Sequence, residues 1–359
     1  MRLSRILKVV VQSPRQLVRD GGSHWEWTET EVDALHVEAT MTRSRRWNDN
    51  EMNLTVYNMS KDTSASIFCR GAVVRVYAGY EGMGVGLMFQ GNILTHRRTS
   101  NGTDTMDMIY AMCLRGVKDS TFGATPVSFG YSGRVSMATL YERIAVTLGL
   151  VLYGKESIQD IVLDGYAFAG TVGQLIDDLE PLLAGYGYGV GRDLGAMVIY
   201  AFDGGDSTYT VTHLDFTCGL LSVRDCTDYA GQAKEKLTEI EEKGLTVMAG
   251  DGSEDVMKEI EGIYTEARKE YTAQTIVVPK LKPNALVDIQ TDEVKGQFVV
   301  DEMEISVGNL PDSSFNMELR MLEVADPLEL RGVVTYTIDE IKSGKNKGKT
   351  SIKHGKAGQ

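Results

Sequence analysis

The sequence has few of the features that mark specialised classes of protein. Its 359 residues include only 7 prolines and 4 cysteines, which excludes a collagen-like chain and a disulfide-rich secreted scaffold. No apolar run approaches the ~18–20 residues that span a bilayer, and the apolar segment near the N-terminus is too short for a secretory signal, so we expect no membrane insertion. With 42% apolar and 24% charged residues, the chain should fold into several domains.

Cysteine usage gives no sign of a covalent framework. Cys69, Cys113, Cys218 and Cys226 have no Cys-x-x-Cys spacing and lie in apolar or strand-like segments. We therefore interpret all four as buried free thiols in a reducing compartment.

Negative charge dominates the sequence, but it is unevenly distributed. The formal charge is 37 − 50 = −13, and because no acidic residue follows Glu340, residues 1–340 carry 31 − 50 = −19. This acidic body should repel nucleic acid. The Lys-rich tail from Lys342 onward is expected to be disordered when free, and it could contact phosphate, an anionic surface or an acidic partner, or simply aid solubility.

Alternation of apolar and polar residues predicts β-strands in the first third of the chain. The pattern runs over residues 35–41 and 52–56, and a further strand over 73–78 precedes a Gly-rich turn. The N-terminal 16 residues are also interpreted as a strand. We predict a small β-barrel or sandwich over residues 1–113.

Helical spacing replaces this alternation between residues 114 and 213. Ser136 is a suitable N-cap for an apolar stripe that Gly149 ends. Thr171 begins a second helix with the Thr-x-x-Gln form of a capping box. A hairpin is predicted within 187–200, so this region is interpreted as a separate α+β domain.

Residues 227–271 are predicted to be helical with a narrow apolar stripe. Such helices lie across a surface or pack on a partner chain, and a solvated surface hairpin fits the pattern equally well. The segment is interpreted as an insertion in a second β domain over residues 214–325, followed by a C-terminal extension, 326–359, that carries the basic tail.

The second β domain repeats a pattern of the first. Residues 303–307 and 315–321 alternate like the earlier pair, 35–41 and 52–56. We therefore hypothesise a degenerate internal duplication, with two similar β units on either side of the α+β unit.

No convergent catalytic or metal-binding motif is present, so we expect no enzyme activity, no cofactor and no metal site. Gly344–Thr350 is one residue short of a phosphate-binding loop and no helix pattern follows it. The glycines within 185–191 follow a predicted helix instead of opening one, and Asp177 and Asp178 point to different helix faces. The histidines lack ligand spacing and are interpreted as structural or exposed: His24, His36, His96, His213 and His354.

Several short segments together resemble the baseplate hub proteins of contractile-tailed bacteriophages. The order of elements is a strand with Asn-x-Ser, a strand that ends in Ala-Gly-Tyr, and Phe-x-Gly-x-Ile. The resemblance covers most of residues 30–322. Its pieces are 53–60, 71–80, 88–93, 136–200, 219–221, 281–284 and 296–300.

This resemblance implies two tail-tube-like β-barrels with an α+β unit between them, in a fold that is α+β overall but mainly β. It implies a non-enzymatic homotrimer in the virion baseplate, made in the host bacterial cytoplasm, that joins a six-fold tail tube to a three-fold central spike. Tape measure and other baseplate proteins are further expected partners, and DNA would pass through the lumen without specific binding. The 227–271 insertion and the basic tail depart from the pattern. Related secretion-system spike proteins continue into further domains, so a separate spike polypeptide is expected.

Two other classes of function stay open at this point. A carbohydrate- or cell-surface-binding tail protein would need clustered exposed aromatics, for which the only tryptophans are Trp25, Trp27 and Trp47. A tail-associated peptidoglycan hydrolase would need an acid and a nucleophile that converge, and the sequence provides no motif for them.

Overall fold

A computed structural model describes nine stretches of the chain. They are residues 4–19, 22–32, 35–45, 50–69, 71–113, 125–201, 211–228, 269–324 and 333–335. The basic tail, nearly all of the 227–271 segment, and Trp47 and His354 lie outside the described residues, as do the side chains of Trp25 and His24. Among the described residues, no helix has the length and apolar character needed to cross a membrane.

The first β unit is built from seven antiparallel strands and one short helix. The strands pair in the order β2-β1-β5-β6-β7-β4-β3. The helix α1 follows β4 and is capped by the Ser60 hydroxyl, which accepts from the Thr63 N–H at 3.1 Å. The elements are β1 (Arg5–Arg19), β2 (Gly22–Val32), β3 (Val37–Ser44), β4 (Glu51–Tyr57), α1 (Lys61–Ile67), β5 (Val73–Tyr80), β6 (Gly84–Asn101) and β7 (Asp104–Met112).

The α+β unit contains the two helices that the capping signals predicted. Ser136 caps α2 and Gly149 ends it in the left-handed conformation that favours glycine. Thr171 and Gln174 form the predicted capping box of α3. The elements are β8 (Pro126–Ser136), α2 (Met137–Leu148), β9 (Val151–Tyr153), a 3-10 helix (Lys155–Ile158), β10 (Val162–Thr171), α3 (Val172–Ala184), β11 (Tyr188–Asp193) and β12 (Ala196–Ala201).

The second β unit forms from strands late in the chain. Its antiparallel core pairs in the order β14-β15-β18-β17-β16, and β13 adds to β16 in parallel. The strands are β13 (Val211–Leu214), β14 (Leu220–Asp225), β15 (Glu270–Ile276), β16 (Leu286–Gln290), β17 (Lys295–Gly308), β18 (Phe315–Glu323) and β19 (Val333–Thr335).

The two β units share the same strand arrangement. In each, three consecutive strands form a meander, and the two strands that precede the meander in sequence continue it: β5-β6-β7-β4-β3 and β16-β17-β18-β15-β14. Both central hairpins carry a one-residue bulge at the equivalent place, at Leu94 in β6 and Asp301 in β17. The bulges fix the register of equivalence, so that Ile93 corresponds to Val300.

Three expectations need correction. The strands β17 and β18 correspond to β6 and β7, not to β3 and β4 as the alternation pattern indicated. The predicted helical segment is wrong at its end, because Glu270 and Tyr271 lie in strand β15. Cys226 is exposed, and Cys69 is only partly buried, although Cys113 and Cys218 are buried thiols as expected. Apolar–polar alternation in the sequence does not show which strands become neighbours, and strand pairing and side-chain exposure both depend on those neighbours.

The two β units share one hydrophobic core and one sheet. Strand β3 of the first unit pairs antiparallel with β17 of the second, which joins all fourteen strands of the two units. Core residues from both units, among them Met41, Leu54, Ile305 and Met317, belong to one buried cluster. The α+β unit has a separate core formed by α2 and α3 against its strands.

Candidate assembly surface

Eight adjacent strands form one continuous surface that crosses both β units. Their order is β14-β15-β18-β17-β3-β4-β7-β6. Burial alternates along each strand, as in β3, where Val37, Ala39 and Met41 are buried and Glu38 and Thr40 are not. One face of this surface therefore packs on the core, and we call the other the polar face.

The polar face is rich in threonine, serine and glutamate. Its charged residues are six glutamates against three arginines, which gives 3 − 6 = −3 for each chain. The face contains no lysine. The members that define it are Glu38, Thr40, Thr42, Glu51, Asn53, Thr55, Thr95, Arg97, Thr99, Met108, Tyr110, Ser222, Arg224, Cys226, Glu270, Thr272, Gln274, Glu302, Glu304, Ser306, Asn316, Glu318 and Arg320.

Polar pairs between neighbouring strands order this face. The Tyr110 hydroxyl donates to Glu51 at 2.6 Å, and Arg320 donates to Glu270 at 3.1 Å. Burial, together with the hydrogen bond and the negative charge of Glu51, raises the pKa of Tyr110 to about 12. The phenol therefore stays protonated at neutral pH and keeps its hydrogen bond to the carboxylate.

The two units differ in what lies beneath the polar face. In the first unit the carboxylate of Asp107, 0% exposed, accepts from Ser64 at 2.6 Å, from His96 at 2.8 Å and from Arg98 at 2.9 Å. Arg98 also donates to the backbone oxygen of Met59 at 2.6 Å. The equivalent positions of the second unit, Met303, Ile305 and Met317, are apolar and buried.

Both ends of the β3–β17 junction are secured by side chains. At one end the Asn309 Oδ1 accepts from the Val37 N–H at 3.0 Å, and its amide donates to the Leu35 oxygen at 2.5 Å. At the other end the Arg45 Nε donates to Asp301 at 2.5 Å. These contacts hold a pairing between residues about 260 positions apart in sequence.

The α+β unit packs against the same end of β3. The Asn50 amide donates to the Arg192 oxygen at 2.7 Å and its Oδ1 accepts from the Ser44 N–H at 2.7 Å. Arg43 donates to Asp193 at 2.5 Å. A cavity of about 180 Å³ opens here, bordered by Arg45, which also lies 5.2 Å above the Tyr200 ring.

One cluster in the second unit has the composition of a metal site. Ligand atoms of His213, Asp215 and Cys218 lie within 4.8 Å of one another. Burial would raise the pKa of Asp215, but hydrogen bonds from Thr217, Cys218 and His213 outweigh it and lower that pKa. Burial also raises the pKa of the Cys218 thiol, which opposes the thiolate form that a metal needs. The geometry fits a turn closed by Asp215, and we assign no metal to it.

The residues singled out in the sequence are not brought together into a site. Of the three tryptophans, only the Trp27 side chain is described, and it is 54% exposed on β2. His36 and His96 lie in the first β unit and His213 in the second, each beside a carboxylate. The Asp107 cluster escaped sequence reasoning, because its members come from a helix and two strands. A charged residue at an inward position of a strand was the one available signal.

Comparison with known proteins identifies the fold. No family model matches the chain, and no curated protein sequence matches it. Among solved structures, a tail protein from Neisseria meningitidis MC58 matches with a TM-score of 0.53 and 11% identity over 89% of this chain and 97% of that chain. The 43 kDa tail protein of prophage MuSo2 from Shewanella oneidensis matches with a TM-score of 0.53 and 11% identity over 88% and 97%.

These matches show that the chain has the fold of phage tail proteins along nearly its whole length. The expected resemblance is confirmed as far as a likeness to tail proteins in the fold. The fold is mainly β, as expected, and most of its strand pairs are antiparallel.

Proposed function

We propose that this protein is a non-enzymatic structural hub of a contractile phage tail baseplate. Three copies would form a ring that joins a six-fold tail tube to a three-fold central spike. The observation that carries this proposal is the strand arrangement repeated within one chain, β3–β7 and β14–β18.

Symmetry is the physical link between the repeat and the role. A six-fold partner presents six equivalent contacts, and a trimer can meet them only when each chain offers two comparable surfaces. Two tube-like barrels in each chain meet that requirement, and the differences between the units leave a three-fold pattern for the spike. We propose that the two β units are these barrels and that the α+β unit projects from the ring.

The polar face is proposed to line the channel through which DNA passes. Its net charge of −3 in each chain follows from the residues defined above. Because glutamates outnumber arginines on this wall, it would attract DNA phosphates weakly and release few counterions, so the duplex would slide without being held. This proposal places the protein in the virion baseplate, in contact with tube, spike and tape measure proteins.

Light scattering and imaging test the proposal. The purified chain should form a particle of three times 39.5 kDa, alone or with tube and spike proteins, and electron microscopy should show six lobes with three-fold symmetry. A strict monomer under all of these conditions would reject it. A two-fold dimer would also reject it, because it cannot present six equivalent contacts.

A further inference from the structure

The way strands pair along the two edges of β17 suggests how two copies of the chain could contact each other. β17 pairs with β18 along one edge over Phe298–Val307. Its other edge is divided between two strands, since β16 pairs with residues 295–299 and β3 with residues 302–308. One strand in this unit therefore serves two neighbours on a single side.

In the first unit, the equivalent strand β6 has only one neighbouring strand on its second edge. β6 pairs with β7 along one edge over residues 92–101, and β5 covers its other edge over residues 84–92. Asn92 pairs on both sides, so the two neighbours lie on opposite edges. Among the described residues, no strand pairs with the second edge of β6 beyond Asn92, at the place where β17 receives β3.

The second unit ends in a matching open edge. β14 is the equivalent of β3, and within the described part of the chain it pairs with β15 alone. The exposed Leu221 lies on this edge strand, 53% accessible. On β6, Ile93 is already bonded to Gly71 and Ala72 through its backbone, so the open stretch is residues 95–101. Neither β14 nor this stretch contains proline, so both can donate along a ladder.

We propose that β14 of one copy pairs antiparallel with residues 95–101 of β6 in a second copy, in the register of the β3–β17 junction. This inference rests on the proposed function and adds the interface to it. The contact joins two different edges, so it is heterologous. In the proposed trimer it is repeated three times and closes the ring.

Because the bulges define which residues of the two units are equivalent, the register of the β3–β17 junction predicts which residues would pair between two copies. In the junction, Ile305 faces Met41 and Glu304 faces Thr42. Ile305 corresponds to Arg98 and Met41 to Asp225, so a cation of one copy faces an anion of the next on the core side. On the polar face, Glu304 corresponds to Arg97 and Thr42 to Cys226.

This register places a native thiol at the interface. Cys226 is exposed, whereas Cys113 and Cys218 are buried and Cys69 is partly buried. A cysteine at position 97 would lie directly opposite Cys226 of the neighbouring copy. Cα atoms of directly opposed residues in an antiparallel pair are about 4.5–5.5 Å apart, which is within the range that a disulfide spans.

The experiment is mild oxidation of the full-length Arg97→Cys variant, followed by non-reducing electrophoresis and peptide mapping. We expect covalent dimers and trimers that reductant dissolves, with a peptide linking positions 97 and 226. Arg97→Cys combined with Cys226→Ser should give no such species. The matched control is Asn53→Cys, which is also exposed but lies on β4 inside the same surface and should not cross-link.

A second pair guards against a failure specific to one site. Thr99→Cys with Arg224→Cys, in a Cys226→Ser background, reports the same register. Circular dichroism checks that each variant is folded. A trimer by light scattering with neither pair cross-linked would overturn this interface and leave the proposed hub standing. A strict monomer that also fails to cross-link would overturn both.

Discussion

At the scale of single residues, Asp107 distinguishes the two β units. Its carboxylate is buried and accepts from three side chains, while the equivalent residue of the second unit is Met317. A buried charge is tolerated when its partners stay in place, and it becomes costly once a partner is lost. The two units therefore fill the same position with opposite chemistry.

Asp107→Asn should destabilise the protein by about 3 kcal/mol, the low end for a broken buried ion pair because Arg98 is partly exposed. The amide also turns an N–H toward donors that need an acceptor. Urea denaturation measures the loss, and the exposed Asp312→Asn variant should be unchanged.

Replacing the whole cluster should cost less than replacing its centre. His96→Met, Arg98→Ile and Asp107→Met together install the residues of the second unit and leave none of these charges unpaired. If the triple variant were less stable than Asp107→Asn, the cluster would have a role beyond mutual satisfaction of its charges.

At the scale of elements, the units meet through close backbone approaches. Strand β11 of the α+β unit passes the end of β3 so closely that a Cβ on Gly191 would lie 1.7 Å from the Arg45 oxygen. No side chain can move aside to relieve this contact, since both groups belong to backbone. The φ angle of Gly191 is not in the left-handed region, so backbone conformation does not require glycine here. The close approach of the Arg45 oxygen does.

Gly191→Ala should displace β11 and cost about 1–3 kcal/mol, the usual range for overpacking. The matched control is Gly133→Ala on β8, where an added Cβ meets nothing within 4 Å. Denaturation and limited proteolysis between the α+β and β units measure the effect. Equal stability of the two variants would show that the junction is looser than described.

At the scale of the whole molecule, the charge of the polar face should control the interaction with DNA. Glu304→Lys with Glu318→Lys changes each chain by +4, or +12 in a trimer. We expect the wild-type trimer to retain no linear duplex DNA at low salt. The variant should retain it, with an affinity that falls steeply as salt is added.

Position, and not net charge alone, decides this outcome. Glu156→Lys with Asp160→Lys makes the same change on an exposed part of the α+β unit, and we expect it to bind DNA more weakly. Gel-shift measurements across a salt series compare the two variants. Equal binding would argue against a channel lined by the polar face.

Much of the local structure could be predicted, but its limits are physical. Ser136 and Thr171 cap helices as expected, since a cap depends on groups only three residues apart. The prediction failed at Tyr271 and Cys226, because strand membership and exposure depend on distant neighbours. The repeat was recognised, yet its hairpins were matched to the wrong partners, because alternation is the same in every half-buried strand.

The sequence by itself determined the helices α2 and α3, many of the strands and the acidic character of the chain, since periodicity, caps and charge act over a few residues. Only the tertiary structure decided which strands meet. The pairing of β3 with β17, the shared edge of β17 and the buried environment of Asp107 each join residues far apart in the chain. Such contacts depend on the geometry of several packed strands, and no local pattern encodes them.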